Sequence, residues 1–149
     1  MEFSHVTRKT QLILDLGSVE AKLLRQTEVD CIHIFLAILV KPFSNEASDI
    51  LRRSGIRLDH ARDIARSHVE VPHVGKVDEY PFTNSAVSAV ERARQIAVKK
   101  GEDRLTRPEH LLYAVLEQYD DCIDEVLDEY DVSASEICSK IVERLREED

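Results

Sequence analysis

The feature that most constrains the fold of this chain is a pattern of side chains that occurs twice. A phenylalanine, a histidine and a leucine occur in this order in each half of the chain. The pairs are Phe3 and Phe82, 79 residues apart, His33 and His110, 77 apart, and Leu51 and Leu127, 76 apart. Self-similarity at a nearly fixed period indicates a duplicated structural unit. The small drift in offset indicates loops of slightly different length.

The duplication has a period of roughly 75 residues and predicts repeat one over 3–69 and repeat two over 82–147. The segment between them, 70–81, contains two prolines and a glycine and has no apolar periodicity, so it is predicted to be a linker. Two copies are too few for a solenoid. We therefore expect them to pack face to face about a pseudo-twofold axis, as a single domain spanning 1–149.

Helical periodicity dominates both repeats, and no segment alternates as a strand does. The sequence therefore predicts an all-α fold of about eight helices, four in each repeat. The clearest helix covers 84–101, where apolar residues recur on one face. Thr83 is its predicted N-cap, Lys99 and Lys100 complement the negative end of its dipole, and Gly101 is its predicted C′ residue. A glycine, Gly17, interrupts the first helix of repeat one.

Three further helix starts carry capping residues. The stretch "TRPE" predicts a capping box with Thr106 at the N-cap and Glu109 at N3, with Pro108 in the first turn. "SASE", 133–136, predicts a second capping box. Asp30 is the predicted N-cap of the central helix of repeat one.

Two histidines occupy equivalent places at the heads of the two central helices. His33 and His110 are therefore predicted to be structural, each hydrogen-bonded inside its own repeat, because a buried imidazole needs a partner.

The net charge of −9 argues against nucleic acid, whose phosphates require lysine and arginine. Acid is concentrated at 117–149, with 13 Asp or Glu against three basic residues. Either this is a solvated surface, or it is an acidic docking face for a basic partner. It should repel DNA and anionic lipid in both cases.

Three dispersed cysteines, Cys31, Cys122 and Cys138, lie in apolar helical patterns and outside any CxxC motif. They are expected to be buried, reduced thiols of a cytoplasmic protein, or of the plastid stroma in a plant or alga. No signal peptide is visible, and the longest apolar stretch, 34–40, is too short to cross a membrane.

Nothing in the sequence predicts catalysis, a cofactor or a metal. None of the four glycines fits a phosphate-binding P-loop, and no serine or cysteine lies in a nucleophile elbow. His68, Glu70 and His73 lie close together in sequence, but their spacing matches no structural zinc site. The chain is predicted not to be an enzyme.

The order of these motifs resembles a known family. Three motifs follow one another: a helix opening on "F-[ST]", a second helix with "EH", and a short helix ending in "L-x-x-x-[GD]-[VI]". This order, given twice, resembles the N-terminal domain of Clp/Hsp100 chaperones, ClpA and ClpC most of all. The resemblance runs from Phe3 to about Arg146 and is closer in the second half. Ile32 stands where the family usually has Glu.

The resemblance implies a non-catalytic platform that docks adaptors, degrons or unfolded substrates for an attached AAA+ ATPase of a chaperone–protease. It also implies a phosphoarginine-binding role for Thr83 and Glu109. The matching residues of the first half are Ser4 and Ile32, and Ile32 cannot pair with a cation, so that copy is expected to be defective.

Two alternatives remain open at this point. The chain is either a domain of a longer chaperone or a free-standing protein. In the second case it could be an accessory subunit that binds the Clp protease or chaperone and affects its assembly, as its similarity to the plastid ClpT proteins suggests. Neither its oligomeric state nor its particular protein partner follows from the residues.

Overall fold

The computed structural model describes residues 3–41, 43–98 and 104–147. These residues form eight α-helices and two isolated β-bridges. The helices are α1 (Arg8–Leu23), α2 (Cys31–Ile38), α3 (Glu46–Arg53), α4 (Leu58–Ser67), α5 (Asn84–Ala97), α6 (Pro108–Leu116), α7 (Asp121–Glu129) and α8 (Ala134–Glu147). The all-α prediction is confirmed.

Helices α2 and α6 form the centre of the molecule. All eight residues of α2 are buried, and in α6 only Tyr113 is partly exposed. The two helices contact each other, and each packs against the preceding long helix, α1 or α5. Their apolar side chains belong to one continuous core, built mainly from aliphatic residues. The repeats therefore share a core and do not form separate bodies.

The two β-bridges cross between the halves. The residues before α1 pair with the residues before α6, where Thr106 N donates to His5 O at 2.7 Å and Thr7 N donates to Thr106 O at 3.0 Å. The residues before α5 pair in the same way with those before α2, through Val29 N to Pro81 O and Thr83 N to Val29 O, at 2.8 and 2.9 Å. Each half thus fixes the helix starts of the other, as a pseudo-twofold axis requires.

The register at the start of the two halves differs from the one predicted. Thr7 and Thr83 are the equivalent N-caps, because their hydroxyls accept from Thr10 N and Ala86 N at 3.2 and 3.1 Å. The equivalent of Thr83 is therefore Thr7, and Ser4 lies in an exposed turn before it. The Phe3 ring is not the counterpart of the Phe82 ring. It packs against that ring, with centroids 5.2 Å apart.

The predicted capping box at Thr106 was wrong by one residue. Helix α6 starts with Pro108 at its first position, and Arg107 occupies the N-cap position. Thr106 cannot cap the helix because its backbone is extended and engaged in the bridge, and its buried hydroxyl has no hydrogen-bond partner. His110, and not Glu109, is the N3 residue, and its Nδ1 accepts from Arg107 N at 2.9 Å.

The predicted N-caps Asp30 and Ser133 are confirmed, although the Glu136 carboxylate accepts from the Ser133 hydroxyl and so does not complete the predicted capping box. Asp30 Oδ1 accepts from Cys31 N at 2.8 Å, and Ser133 Oγ accepts from Glu136 N at 3.1 Å. Helix α5 ends at Ala97, short of the predicted 101, and Lys99, Lys100 and Gly101 lie outside the described residues.

Gly17 does not interrupt helix α1, which runs through it. It allows close packing, because a Cβ at this position would lie 3.0 Å from Val29 Cγ1. Among the described residues, no helix is both long and apolar enough to span a bilayer. The stretch between α4 and α5 contains no helix, while the division into 3–69 and 82–147 with a linker at 70–81 stays a prediction.

Candidate functional site

The two crossed bridges place a cavity at each pair of helix starts. The first, which we call the Glu109 cavity, has a volume of about 460 Å³ and includes Thr7, Asn45, Arg107 and Glu109 in its lining. The second, the Thr83 cavity, has a volume of about 660 Å³ and includes Asp30, His33 and Thr83 in its lining. Thr7 and Arg107 in the first correspond to Thr83 and Asp30 in the second.

Three helices begin at the Glu109 cavity. Thr7, Asn45 and Arg107 are the N-cap residues of α1, α3 and α6, and all three line it. Helix N-termini present free N–H groups and the positive end of the dipole, which favour an anion. Lys9 and Arg107 add positive charge to the lining.

Glu109 lies on the floor of this cavity and is only 2% exposed. Its ion pair with Arg107 spans 3.9 Å between Oε2 and Nη1, which is longer than a hydrogen bond. Burial of a carboxylate lowers the stability of the folded chain unless a cation or hydrogen-bond donor pairs closely with it. The cavity therefore combines a carboxylate that can bind a cation with N–H groups and basic side chains that can bind an anion.

The other two acids of the Glu109 cavity are already paired with two arginines, one of which, Arg53, lies 3.2 Å from Asp49 Oδ2. Arg144 of α8 reaches across the halves and pairs with both Glu46 and Asp49, at 2.7 Å from Nη2 to the Asp49 carboxylate. The hydrogen bond from Arg144 lowers the pKa of Asp49 below its usual value. Glu109 is thus the carboxylate left to receive a ligand cation.

The Thr83 cavity carries the opposite charge at the position equivalent to Arg107. The Thr83 hydroxyl donates to Asp30 Oδ1 at 2.8 Å, so a carboxylate occupies the place that Arg107 has in the other cavity. Burial, together with the nearby charge of Asp30, raises the pKa of Asp120 at the start of α7. Ile32 occupies the position equivalent to Glu109. This cavity therefore has a carboxylate in place of the Arg107 guanidinium and an apolar side chain in place of the Glu109 carboxylate.

The structure separates the two residues that the sequence had placed in one pocket. Thr83 lines one cavity and Glu109 the other. Sequence reasoning missed Thr7 and Arg107, which are the neighbours of Glu109. The signal for Thr7 was present, because the 76-residue offset between Leu51 and Leu127, applied to Thr83, gives Thr7.

The two histidines bond within their own halves. His33 Nδ1 accepts from Asp30 N at 2.8 Å, and its Nε2 lies 2.6 Å from Gln26 Oε1. Because Nδ1 accepts, Nε2 carries the proton and donates to the amide oxygen. Burial lowers the pKa of His33 and of His110 from 6.5 to about 4, with Arg107 and Arg104 contributing at His110. Both are neutral imidazoles at pH 7.

The cysteines are free thiols, with Cys31 and Cys122 buried and Cys138 half-buried. Burial raises their pKa values to about 12, 12 and 11, so none is a thiolate at neutral pH. Within 3–41, 43–98 and 104–147, no three His, Cys, Asp or Glu side chains are grouped so that they could hold a metal ion.

The family model described as the Clp repeat (R) N-terminal domain matches residues 5–130. The N-terminal domain of ClpD, a caseinolytic protease associated chaperone from Arabidopsis thaliana, is similar over 98% of this chain and 97% of its own, at 20% identity and a TM-score of 0.76.

Two further solved structures are similar. The Hsp104 N-terminal domain from Candida albicans gives 19% identity, coverage of 96% and 92%, and a TM-score of 0.72. The N-domain of ClpV from Vibrio cholerae gives 17% identity, coverage of 77% and 68%, and a TM-score of 0.59. No curated protein sequence matches the chain. At these identities the structures establish a shared fold, and the family model adds the family. The chain belongs to the family of Clp repeat (R) N-terminal domains.

Proposed function

We propose that this chain is a non-catalytic protein-interaction module that docks adaptors, degrons or unfolded substrates for a Clp AAA+ chaperone–protease. The observation that carries the proposal is the Glu109 cavity, where a buried carboxylate faces a site at which three helices begin. Family membership supports the interaction role. The free thiols are consistent with a reducing compartment such as the cytoplasm.

The ligand that fits this cavity is a side chain with one anionic and one cationic group, such as phosphoarginine on a substrate protein. Its phosphoryl group would meet the helix N-termini, Lys9 and Arg107. Its guanidinium would give Glu109 the close, charge-assisted hydrogen bonds that the 3.9 Å contact with Arg107 does not provide. Thr7 and Glu109 then act together in one site, and Thr83 serves the other cavity.

The test is calorimetric titration of the chain with phosphoarginine and with a phosphoarginine peptide. We expect one site per chain, because Asp30 and Ile32 make the Thr83 cavity unsuitable. Glu109→Gln removes the charge with little change in shape and should weaken binding by about ten-fold or more, since a hydrogen bond to a charged group contributes about 1.5–3 kcal/mol.

Glu70→Gln is the matched control, because Glu70 is an exposed glutamate that lines the Thr83 cavity. It should leave the affinity unchanged. Two equal sites per chain would contradict the asymmetry between the cavities. No binding by the folded protein would refute this ligand and leave the accessory-subunit role as the better account.

A further inference from the structure

A third cavity lies at the other end of α3 from the Glu109 cavity. It is formed where α2 and α3 end and α4 begins, and its volume is about 570 Å³. We call it the arginine cavity. Its apolar floor includes Leu39 and Ile56, each 2% exposed, together with the partly buried Leu58. A floor of this kind accepts an aliphatic side chain.

The rim of the arginine cavity carries four cations, Lys41, Arg52, Arg57 and Arg62, against one carboxylate, Asp59. Two of the cations are neutralised. Arg57 pairs with Asp59 at 3.1 Å, and Arg62 makes a two-point ion pair with the buried Glu20 beneath the rim, at 2.8 and 2.7 Å.

The other two cations are not paired with a carboxylate of the described residues. Arg52 donates to the carbonyl oxygens of Leu39 and Phe43 at 3.1 and 3.3 Å, which orients the guanidinium without neutralising it. Lys41 is exposed and has no ion pair with any described residue. At the start of α4, Asp59 lies in the first turn and its Oδ1 accepts from His60 N at 2.9 Å, so the positive potential at this rim comes from Lys41 and Arg52.

The equivalent cavity of the second half shows that this charge does not come from the fold. It lies where α6 ends and α8 begins and has a volume of about 590 Å³. Glu117 stands there in the place of Val40, and Cys138 in the place of Arg62. Its charged lining residues are Glu117, Glu143 and Arg146. The positive rim is a property of the first half alone, in a chain with a net charge of −9.

We propose that the arginine cavity docks an acidic peptide segment of a partner protein, anchored by one aliphatic side chain. The apolar floor takes the anchor, and flanking carboxylates of the peptide pair with Lys41 and Arg52. Complementary charge brings such a segment to the cavity and fixes its register. The site is separate from the Glu109 cavity, so it stands whether or not that cavity binds phosphoarginine.

The test uses fluorescence anisotropy of a fluorescein-labelled, end-blocked heptapeptide in which a central leucine is flanked by three acidic residues on each side. Lys41→Glu should weaken binding by about ten-fold. Lys76→Glu makes the same charge change at an exposed position between α4 and α5 and should alter the affinity less than about two-fold. A second peptide with serine in place of leucine should bind more weakly.

Three results would overturn the proposal. Equal losses in Lys41→Glu and Lys76→Glu would show that the peptide responds only to overall charge. Equal binding of the serine peptide would show that the apolar floor is not used. Sedimentation equilibrium that reveals a dimer dissociated by Lys41→Glu would show that the acidic half of a second copy fills the cavity.

Discussion

Acid should destabilise this protein through its two buried histidines. The pKa of each imidazole is about 4 in the folded chain, against 6.5 when it is exposed to water. Between these values the unfolded chain binds a proton that the folded chain does not bind. Stability is therefore complete above pH 6.5 and falls as the pH drops toward 4.

The size of the effect follows from the two pKa values. One pKa unit corresponds to about 1.4 kcal/mol, so lowering the pH from 7 to 5 should reduce the free energy of unfolding by about 2 kcal/mol for each histidine. The two together would contribute about 4 kcal/mol, a large fraction of the stability of a small domain. Urea denaturation followed by circular dichroism at each pH measures this slope.

The variants that isolate the histidines are His33→Gln and His110→Gln. Glutamine at N3 of a capping box still accepts from the N-cap N–H and does not titrate in this range. The double variant should lose most of the pH dependence between pH 7 and 5. His73→Gln, at an exposed position, should keep the slope of the natural chain. A double variant with the full slope would refute this account.

Two further substitutions, the second with a matched control, test the buried polar groups. Thr106→Val keeps the shape and removes a buried hydroxyl without a partner, so it should stabilise the chain by about 1 kcal/mol. A lower free energy of unfolding, measured by urea denaturation, would show that the Thr106 hydroxyl makes a hydrogen bond. Arg62→Ala leaves Glu20 buried and unpaired and should cost about 3 kcal/mol, whereas Arg66→Ala, which removes an exposed pair with Asp63, should cost under about 1 kcal/mol.

The helices were predictable from sequence because their signals are local. A cap such as Asp30 or Ser133 and the periodicity of the residues that follow lie within one short segment. The duplication was visible for the same reason, since both copies keep their landmarks in order. These signals were enough to give an all-α fold of eight helices.

The site was not predictable in the same way, because its partners come from opposite halves. Thr7 and Glu109 are brought to one cavity by a backbone pairing between His5, Thr7 and Thr106, which no local pattern indicates. That pairing also holds Thr106 extended and moves the start of α6 to Pro108. Long-range backbone hydrogen bonds thus displaced both the cap and the pocket from their predicted positions.

The two crossed bridges have the geometry of an isologous dimer interface, but both sides of the interface belong to one chain. In a homodimer, symmetry obliges both copies of such a site to carry the same side chains. Covalent fusion removes that obligation, so each cavity is free to acquire its own chemistry. Arg107 and Glu109 lie at one bridge, whereas Asp30 and Ile32 lie at the equivalent positions of the other, so one backbone arrangement, used twice, presents two different sets of charged side chains.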